Sequence, residues 1–190
     1  MSIRGNYPKA AFERRIAALQ RQLGIPENYA AQRGLEPCVE CTHFVSIGQD
    51  IFGRNQQMTP RAARAWFDME AAATSSGIEL QVVSAFRSVD YQADIIKRKL
   101  DAGQNMHDIL KVSAAPGFSE HHTGRALDIS TPGFEPLDES FETSTAFDWL
   151  QYSAANYGFR MSYPRNNRHG VCYEPWHWCW APATDDLKKA

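Results

Sequence analysis

The 190-residue chain contains no apolar run long enough to form a signal-peptide core or to cross a membrane. As written it is expected to be cytoplasmic, or periplasmic if a leader has been removed. It also lacks a concentration of charge. Its 20 Lys and Arg are dispersed among 22 Asp and Glu, for a formal net charge of -2. No stripe of one sign points to nucleic acid or to an anionic membrane, so neither is expected as a partner and a monomer is expected. Internal repeats and low-complexity tracts are absent, which sets aside solenoid and fibrous architectures. Cysteine is scarce. Cys38-Val-Glu-Cys41 has the spacing of half a zinc ribbon or of a redox pair, but no second half of like spacing follows, since Cys172 and Cys179 lie seven positions apart. Free small core thiols are the favoured reading. A structural metal, a functional dithiol or a disulfide in an oxidising compartment are the alternatives.

What is present suits one domain with a substantial core, at 43% hydrophobic residues. Phe12, Ile16, Leu19 and Leu23 recur at helical spacing before Gly24 and Pro26. Residues 27–42 read as an irregular connection, and Phe44 to Ile51 as a short hairpin turning at Gly48-Gln-Asp50. Thr59-Pro60 starts a helix with a hydroxyl cap and a proline in the first turn. Ile78 to Phe86 is a strand by β-branched content, and Ser88 caps a helix from Val89 to about Leu100. Ala126 to Ile129 is a second strand, with Asp128 facing away from Leu127 and Ile129. Thr143 or Ser144 caps a helix ended by Gly158, Phe159 to Tyr163 is a strand, and 164–170 a hairpin loop. The expected class is α+β, a mostly antiparallel sheet flanked by helices. A single domain over 1–190 is expected, with 1–50 an N-terminal extension or cap and 58–180 the catalytic core.

The chemistry concentrates in two places. Ser119-Glu-His-His-Thr-Gly-Arg-Ala-Leu-Asp128 places an imidazole seven positions before a carboxylate, with Gly124 allowing a tight path between them. Asp128 lies in an apolar strand, where an unpaired charge is costly, so it needs a cation or several donors. Glu174-Pro-Trp-His177 adds a carboxylate and an imidazole around a proline that bends the chain. Two imidazoles and one carboxylate are the protein ligands of an open catalytic zinc site. His121, Asp128 and His177 are therefore the expected ligands of Zn2+, and Glu174 the general base. His122 competes with His121, and only one of the two is expected to ligate. Arg87, at the end of a strand, is a fixed cation for a substrate carboxylate or an oxyanion. Gln92 and Ser119 are placed to hydrogen-bond the same ligand. Trp176 and Trp178 belong either to the pocket wall or to the core.

The pattern Ser-x-His-x-x-Gly-x-Ala-x-Asp over 119–128, followed by Glu-Pro-Trp-His over 174–177, resembles the VanY-type D-alanyl-D-alanine carboxypeptidases. Ser84-Ala-Phe-Arg87-Ser88-Val-Asp-Tyr-Gln92 resembles the arginine motif of that family, so the likeness spans roughly residues 58–180. The wider group includes D,D-dipeptidases, L,D-carboxypeptidases, phage L-alanyl-D-glutamate endopeptidases and the hedgehog domain. The resemblance implies a hedgehog/D-Ala-D-Ala peptidase-like fold and zinc on His121, Asp128 and His177. It implies Glu174 and Arg87 as catalytic residues, with Arg87, Gln92, Ser119 and Trp176 around the substrate. The implied substrate is a peptidoglycan stem peptide or muropeptide that loses its terminal D-alanine. L,D-carboxypeptidase or endopeptidase activity, and a non-catalytic zinc-bearing muropeptide-binding module, are the alternatives.

Overall fold

A computed structural model describes residues 9–181. The stretch before Lys9, read above for leader features, lies outside them. In chain order the elements are α1 (Lys9–Leu23), α2 (Tyr29–Arg33), β1 (Val45–Gln49), β2 (Asn55–Met58), α3 (Pro60–Ser75), β3 (Gln81–Ser84), α4 (Val89–Asp101), α5 (Met106–Val112), β4 (Ala126–Ser130), α6 (Thr145–Ser153), β5 (Phe159–Met161) and β6 (His177–Trp180). Short 3-10 turns occupy Glu120–Thr123, Glu139–Thr143 and Ala154–Tyr157.

The centre is a four-stranded antiparallel sheet in the order β3-β4-β6-β5. Every residue of β4 is buried, which is why its sequence is almost wholly small or apolar. Trp66 and Met69 of α3, and Leu150 of α6, pack with Leu127 and Ile129 into the main core. The register across this sheet positions the chemistry. Asp128 sits opposite Ser84 on one side and opposite His177 on the other. Directly opposed residues of an antiparallel pair share a face with Cβ atoms about 5 Å apart. A carboxylate and an imidazole 49 positions apart are thereby brought side by side.

Several boundaries differ from expectation, each for a local reason. The first hairpin turns at 50–54, later than expected, because the buried Asp50 carboxylate accepts from the Phe52 and Arg54 amides, from Arg54 Nε and from Gln56 Nε2. Burial alone would raise the pKa of Asp50, but the Arg54 amide and guanidinium outweigh it and hold the carboxyl below its usual range. Thr59 stands at the start of α3, yet its hydroxyl makes no capping bond there. Instead its amide donates to Gly124 O at 2.9 Å. Ser88 and Ser144 do cap α4 and α6, accepting from the Tyr91 and Phe147 amides. The irregular 27–42 segment holds the short α2, and the expected strand 78–86 pairs only over β3. Between β5 and β6 runs a connection over 162–176 rather than a tight hairpin loop at 164–170. Pro175 accounts for part of this, since it cannot donate to a ladder.

Residues 9–41 lie against the sites carried by the rest of the chain. Phe12 and Ile16 of α1 bury against Val89 of α4, and Tyr29 packs with Ile96 and Ile109. The segment that follows reaches the motif region through its backbone: Cys38 N donates to Gly117 O and Cys41 N to His122 O. Glu40 accepts from the Val89 amide at the start of α4. The four cysteines are free, as expected, but none is a core residue: Cys38, Cys41 and Cys179 are half-buried and Cys172 is exposed.

Candidate metal centre

Three elements supply the centre. The 3-10 turn at Glu120–Thr123 carries His121, β4 carries Asp128, and His177 opens β6. Gly124 lets the turn feed directly into β4. Its φ is +63°, and a Cβ there would sit 3.3 Å from the Thr59 amide nitrogen. Glu174, Pro175 and Trp176 form a turn rather than a bent strand, closed by His177 N donating to Glu174 O at 3.1 Å. That turn brings Glu174 Oε2 to 3.8 Å from His177 Nδ1.

His121 Nε2 lies 3.2 Å from Asp128, and His177 Nδ1 lies 3.0 Å from Asp128 Oδ1. One ligand atom from each residue falls within 4.8 Å of the others, and no other such group occurs among the described residues. Two imidazole nitrogens and a carboxylate oxygen at this spacing fit a single zinc ion with an open position. The outer nitrogens set the tautomers. His121 Nδ1 faces the Ala85 carbonyl oxygen at 2.5 Å, so it carries the proton and leaves Nε2 free to ligate. His177 Nε2 faces Glu120 Oε2 at 2.9 Å, which leaves Nδ1 on the side of the cluster.

His122 points elsewhere. Its Nδ1 donates to Arg87 O at 2.7 Å, and its Nε2 accepts from the Gly117 amide at 3.1 Å. It thus ties the arginine loop to the motif and does not join the ligand group. His43, His107 and His169 also lie outside that group.

The electrostatics of the metal-free cluster are dominated by burial. Burial, with the Arg87 cation nearby, pushes His121 down to about 4, so it is neutral and ready to ligate at neutral pH. Burial would also lower His177, but hydrogen bonds to Asp128 and Glu120 raise it to about 10. Asp128 moves the other way: burial would raise it, and His121, His177 and Arg87 hold it well below the usual carboxylate range. Glu174 is raised to about 7, chiefly by burial.

A small pocket of about 40 Å³ opens beside the cluster, lined by Arg87, Gln92, Ser119, His121, Tyr163, Glu174 and His177 among others. Arg87 Nη2 stands 3.5 Å from Asp128 Oδ2. Its Nε, and Oε1 of the buried Gln92, have no hydrogen-bond partner among the described residues. Gln92 is held through its other end, Nε2 donating to Ala114 O at 2.8 Å. Arg87 and Asp128 also line a wider groove of about 420 Å³, together with the exposed Phe52, Tyr91 and Leu137. Of the expected site residues, Trp176 is the one the structure places apart. It is partly buried against the main core and is absent from the wall of the pocket beside the cluster. Trp178 is core as well.

Three participants escaped the sequence reading. Glu120 stands inside the first motif, but its partner His177 is 57 positions away. The Tyr163 ring lies 4.9 Å from that of His177 and walls the pocket. Lys99, whose Nζ donates to Ser113 Oγ, adds a second cation near Glu174, with burial and then Arg87 lowering its pKa. An acid beside a ligand histidine was the one signal open to sequence reasoning.

An antiparallel sheet carrying a buried two-histidine, one-aspartate group with a glutamate at its edge defines a mononuclear metal-hydrolase type of site. The chain belongs to the VanY family, D-alanyl-D-alanine carboxypeptidase, whose family model matches residues 55–183. It is 34% identical over 166 residues to YodJ of Bacillus subtilis (strain 168), covering 85% of this chain and 58% of that protein. It is 29% identical over 127 residues to the bifunctional D-Ala-D-Ala dipeptidase and D-Ala-D-Ala carboxypeptidase VanXYC of Enterococcus gallinarum, covering 63% of this chain and 65% of that protein. The chain thus spans less than two thirds of either relative. Among solved structures, the LdcB LD-carboxypeptidase is similar with a TM-score of 0.69 and 32% identity, over 78% of this chain and 72% of that one. The chain shares its α+β antiparallel fold with LdcB.

Proposed function

We propose that this chain is a zinc-dependent carboxypeptidase that removes the C-terminal D-alanine from peptidoglycan stem peptides. The observation that carries this reading is the pocket beside the ligand cluster, where Arg87 Nε and Gln92 Oε1 are buried without partners among the described residues. An unsatisfied buried donor and acceptor are costly, and a ligand that pairs with both removes the cost. The C-terminus of a peptide does so, with a carboxylate for the guanidinium and an amide N–H for the glutamine oxygen. The pocket is small, which suits alanine as the residue removed. The wider groove that Arg87 also lines accepts the rest of the stem peptide.

Zinc held by His121, Asp128 and His177 would polarise the scissile carbonyl and acidify the attacking water. Glu174 takes a proton from the water as its oxygen bonds to the carbonyl carbon, and delivers that proton to the amine nitrogen as the C–N bond breaks. Arg87 holds the peptide terminus or the oxyanion that develops on the carbonyl oxygen. Gln92 and Ser119 orient the peptide from the pocket wall.

The likeness to LdcB favours a second reading, L,D-carboxypeptidase, because its identity exceeds that to VanXYC. The two are separated by mass spectrometry of products from three substrates: a pentapeptide ending in D-Ala-D-Ala, a tetrapeptide ending in a single D-alanine, and an L-Ala-D-Glu peptide. Release of one alanine from the pentapeptide alone is the expected result. Release from the tetrapeptide alone establishes the L,D reading, and cleavage of the third substrate an endopeptidase. Binding of all three with no turnover in the zinc-loaded protein overturns catalysis and leaves a muropeptide-binding module.

A further inference from the structure

We infer that Glu120 is a positioning residue for the metal centre, holding the His177 ring so that Nδ1 faces the ligand cluster. This inference rests on the zinc reading above. His177 begins a strand, and its buried ring lies 4.9 Å from the rings of His121 and Tyr163, contacts that do not distinguish its nitrogens from its carbons. Nδ1 reaches Asp128 Oδ1 at 3.0 Å and Nε2 reaches Glu120 Oε2 at 2.9 Å, on opposite sides of the ring. A ring flip would place a carbon where each nitrogen now bonds. The carboxylate that accepts from Nε2 therefore selects both the tautomer and the orientation.

Glu120 is itself held. Besides His177 it is hydrogen-bonded by the Ser162 side chain, and the Cys179 thiol also meets it. Its place in the 3-10 turn next to His121 means that one short segment delivers a ligand and the support for a second ligand. It does not line the pocket that Arg87, Gln92 and Glu174 share. It lines a separate cavity of about 190 Å³, walled on one side by Leu35, Glu36 and Cys38 of the N-terminal segment. Glu120 thus meets the centre from outside the pocket proposed for the peptide.

The test is zinc affinity measured by competition with a chelator for the parent, Glu120→Ala, Glu120→Gln and Glu120→Met. Glu120→Ala should bind zinc about 10- to 100-fold more weakly, the range seen when an outer carboxylate is removed from a metal-bound histidine. Glu120→Gln keeps the length and an acceptor oxygen and should recover most of that loss, whereas Glu120→Met fills the same space without an oxygen acceptor and should not; parent affinity in Glu120→Met would mark a merely space-filling role and overturn the inference. Circular dichroism identical to the parent confirms that each variant is folded, and the near-isosteric Glu120→Gln guards against a failure of Glu120→Ala to fold. If Glu120→Ala binds zinc as tightly as the parent, the inference is overturned while the zinc reading stands. If the parent itself binds no zinc, both are overturned.

Discussion

Exchanging Glu174 for glutamine is expected to slow peptide hydrolysis by about 100- to 10,000-fold while zinc stays bound, as for loss of a general base. In free energy this is about 3 to 5 kcal/mol of transition-state stabilisation. The expectation follows from where the side chain sits. Glu174 reaches within 3.8 Å of His177 Nδ1, close enough to serve the open position, yet it is not one of the three mutually close ligand atoms. Glutamine keeps its volume and an acceptor oxygen but cannot take a proton. Burial, partly offset by His177 and Arg87, raises the Glu174 carboxyl to about 7 in the metal-free protein. A base with a raised pKa is active only above that value, so kcat/KM should fall about tenfold per pH unit on the acid side of its titration. A nearby dication favours the ionised form and moves this limb below 7. Single-turnover assays and zinc analysis of Glu174→Gln check both halves. Undiminished turnover would remove Glu174 from the proton-transfer role, and loss of zinc would make it a ligand.

Asp128→Ala is expected to weaken zinc binding by more than the roughly 100-fold that loss of an outer-shell partner can cost. Asp128 occupies the middle of the group, within 3.2 Å of both imidazoles, and no other carboxylate among the described residues shares that spacing. Its removal leaves two neutral ligands and no anionic charge in the group. The same geometry sets the direction of the pH dependence. With no zinc, His177 is raised to about 10 by Asp128 and Glu120, so a proton competes with zinc for Nδ1. Zinc affinity of the parent should therefore rise as pH increases from neutrality, because ligation displaces that proton. Chelator competition at several pH values measures this. Cys38→Ala is the matched control, since a thiol outside the group should leave affinity unchanged.

Much of this arrangement was legible in the sequence because it depends on local signals. Pro60, Ser88 and Ser144 mark helix starts by chemistry that acts within one turn. β4 announces itself through a short apolar run interrupted by one aspartate. His121 and Asp128 share a compact motif, so their proximity needed only a tight turn at Gly124. What escaped depends on pairing between distant segments. That Asp128 and His177 share one ligand group was expected from their chemistry, but the pairing that brings them together, the register between β4 and β6, was not, because register is decided by which faces are buried across the whole sheet. Glu120 was invisible as a partner of His177 for the same reason. The turn at 50–54 was misplaced because Gly48 is the stronger local signal, whereas the turn is held by the buried Asp50 carboxylate and its four donors. Trp176 was set beside the substrate by the family resemblance, but it packs, partly buried, against the main core and does not line the pocket.

The X-ray absorption spectrum of the zinc-loaded protein tests the central claim most directly. Zinc shared by His121, Asp128 and His177 should show only nitrogen and oxygen neighbours at about 2.0–2.2 Å, with outer scattering from two imidazole rings. Sulfur neighbours at about 2.3 Å would place the ion on the cysteines instead and contradict the account.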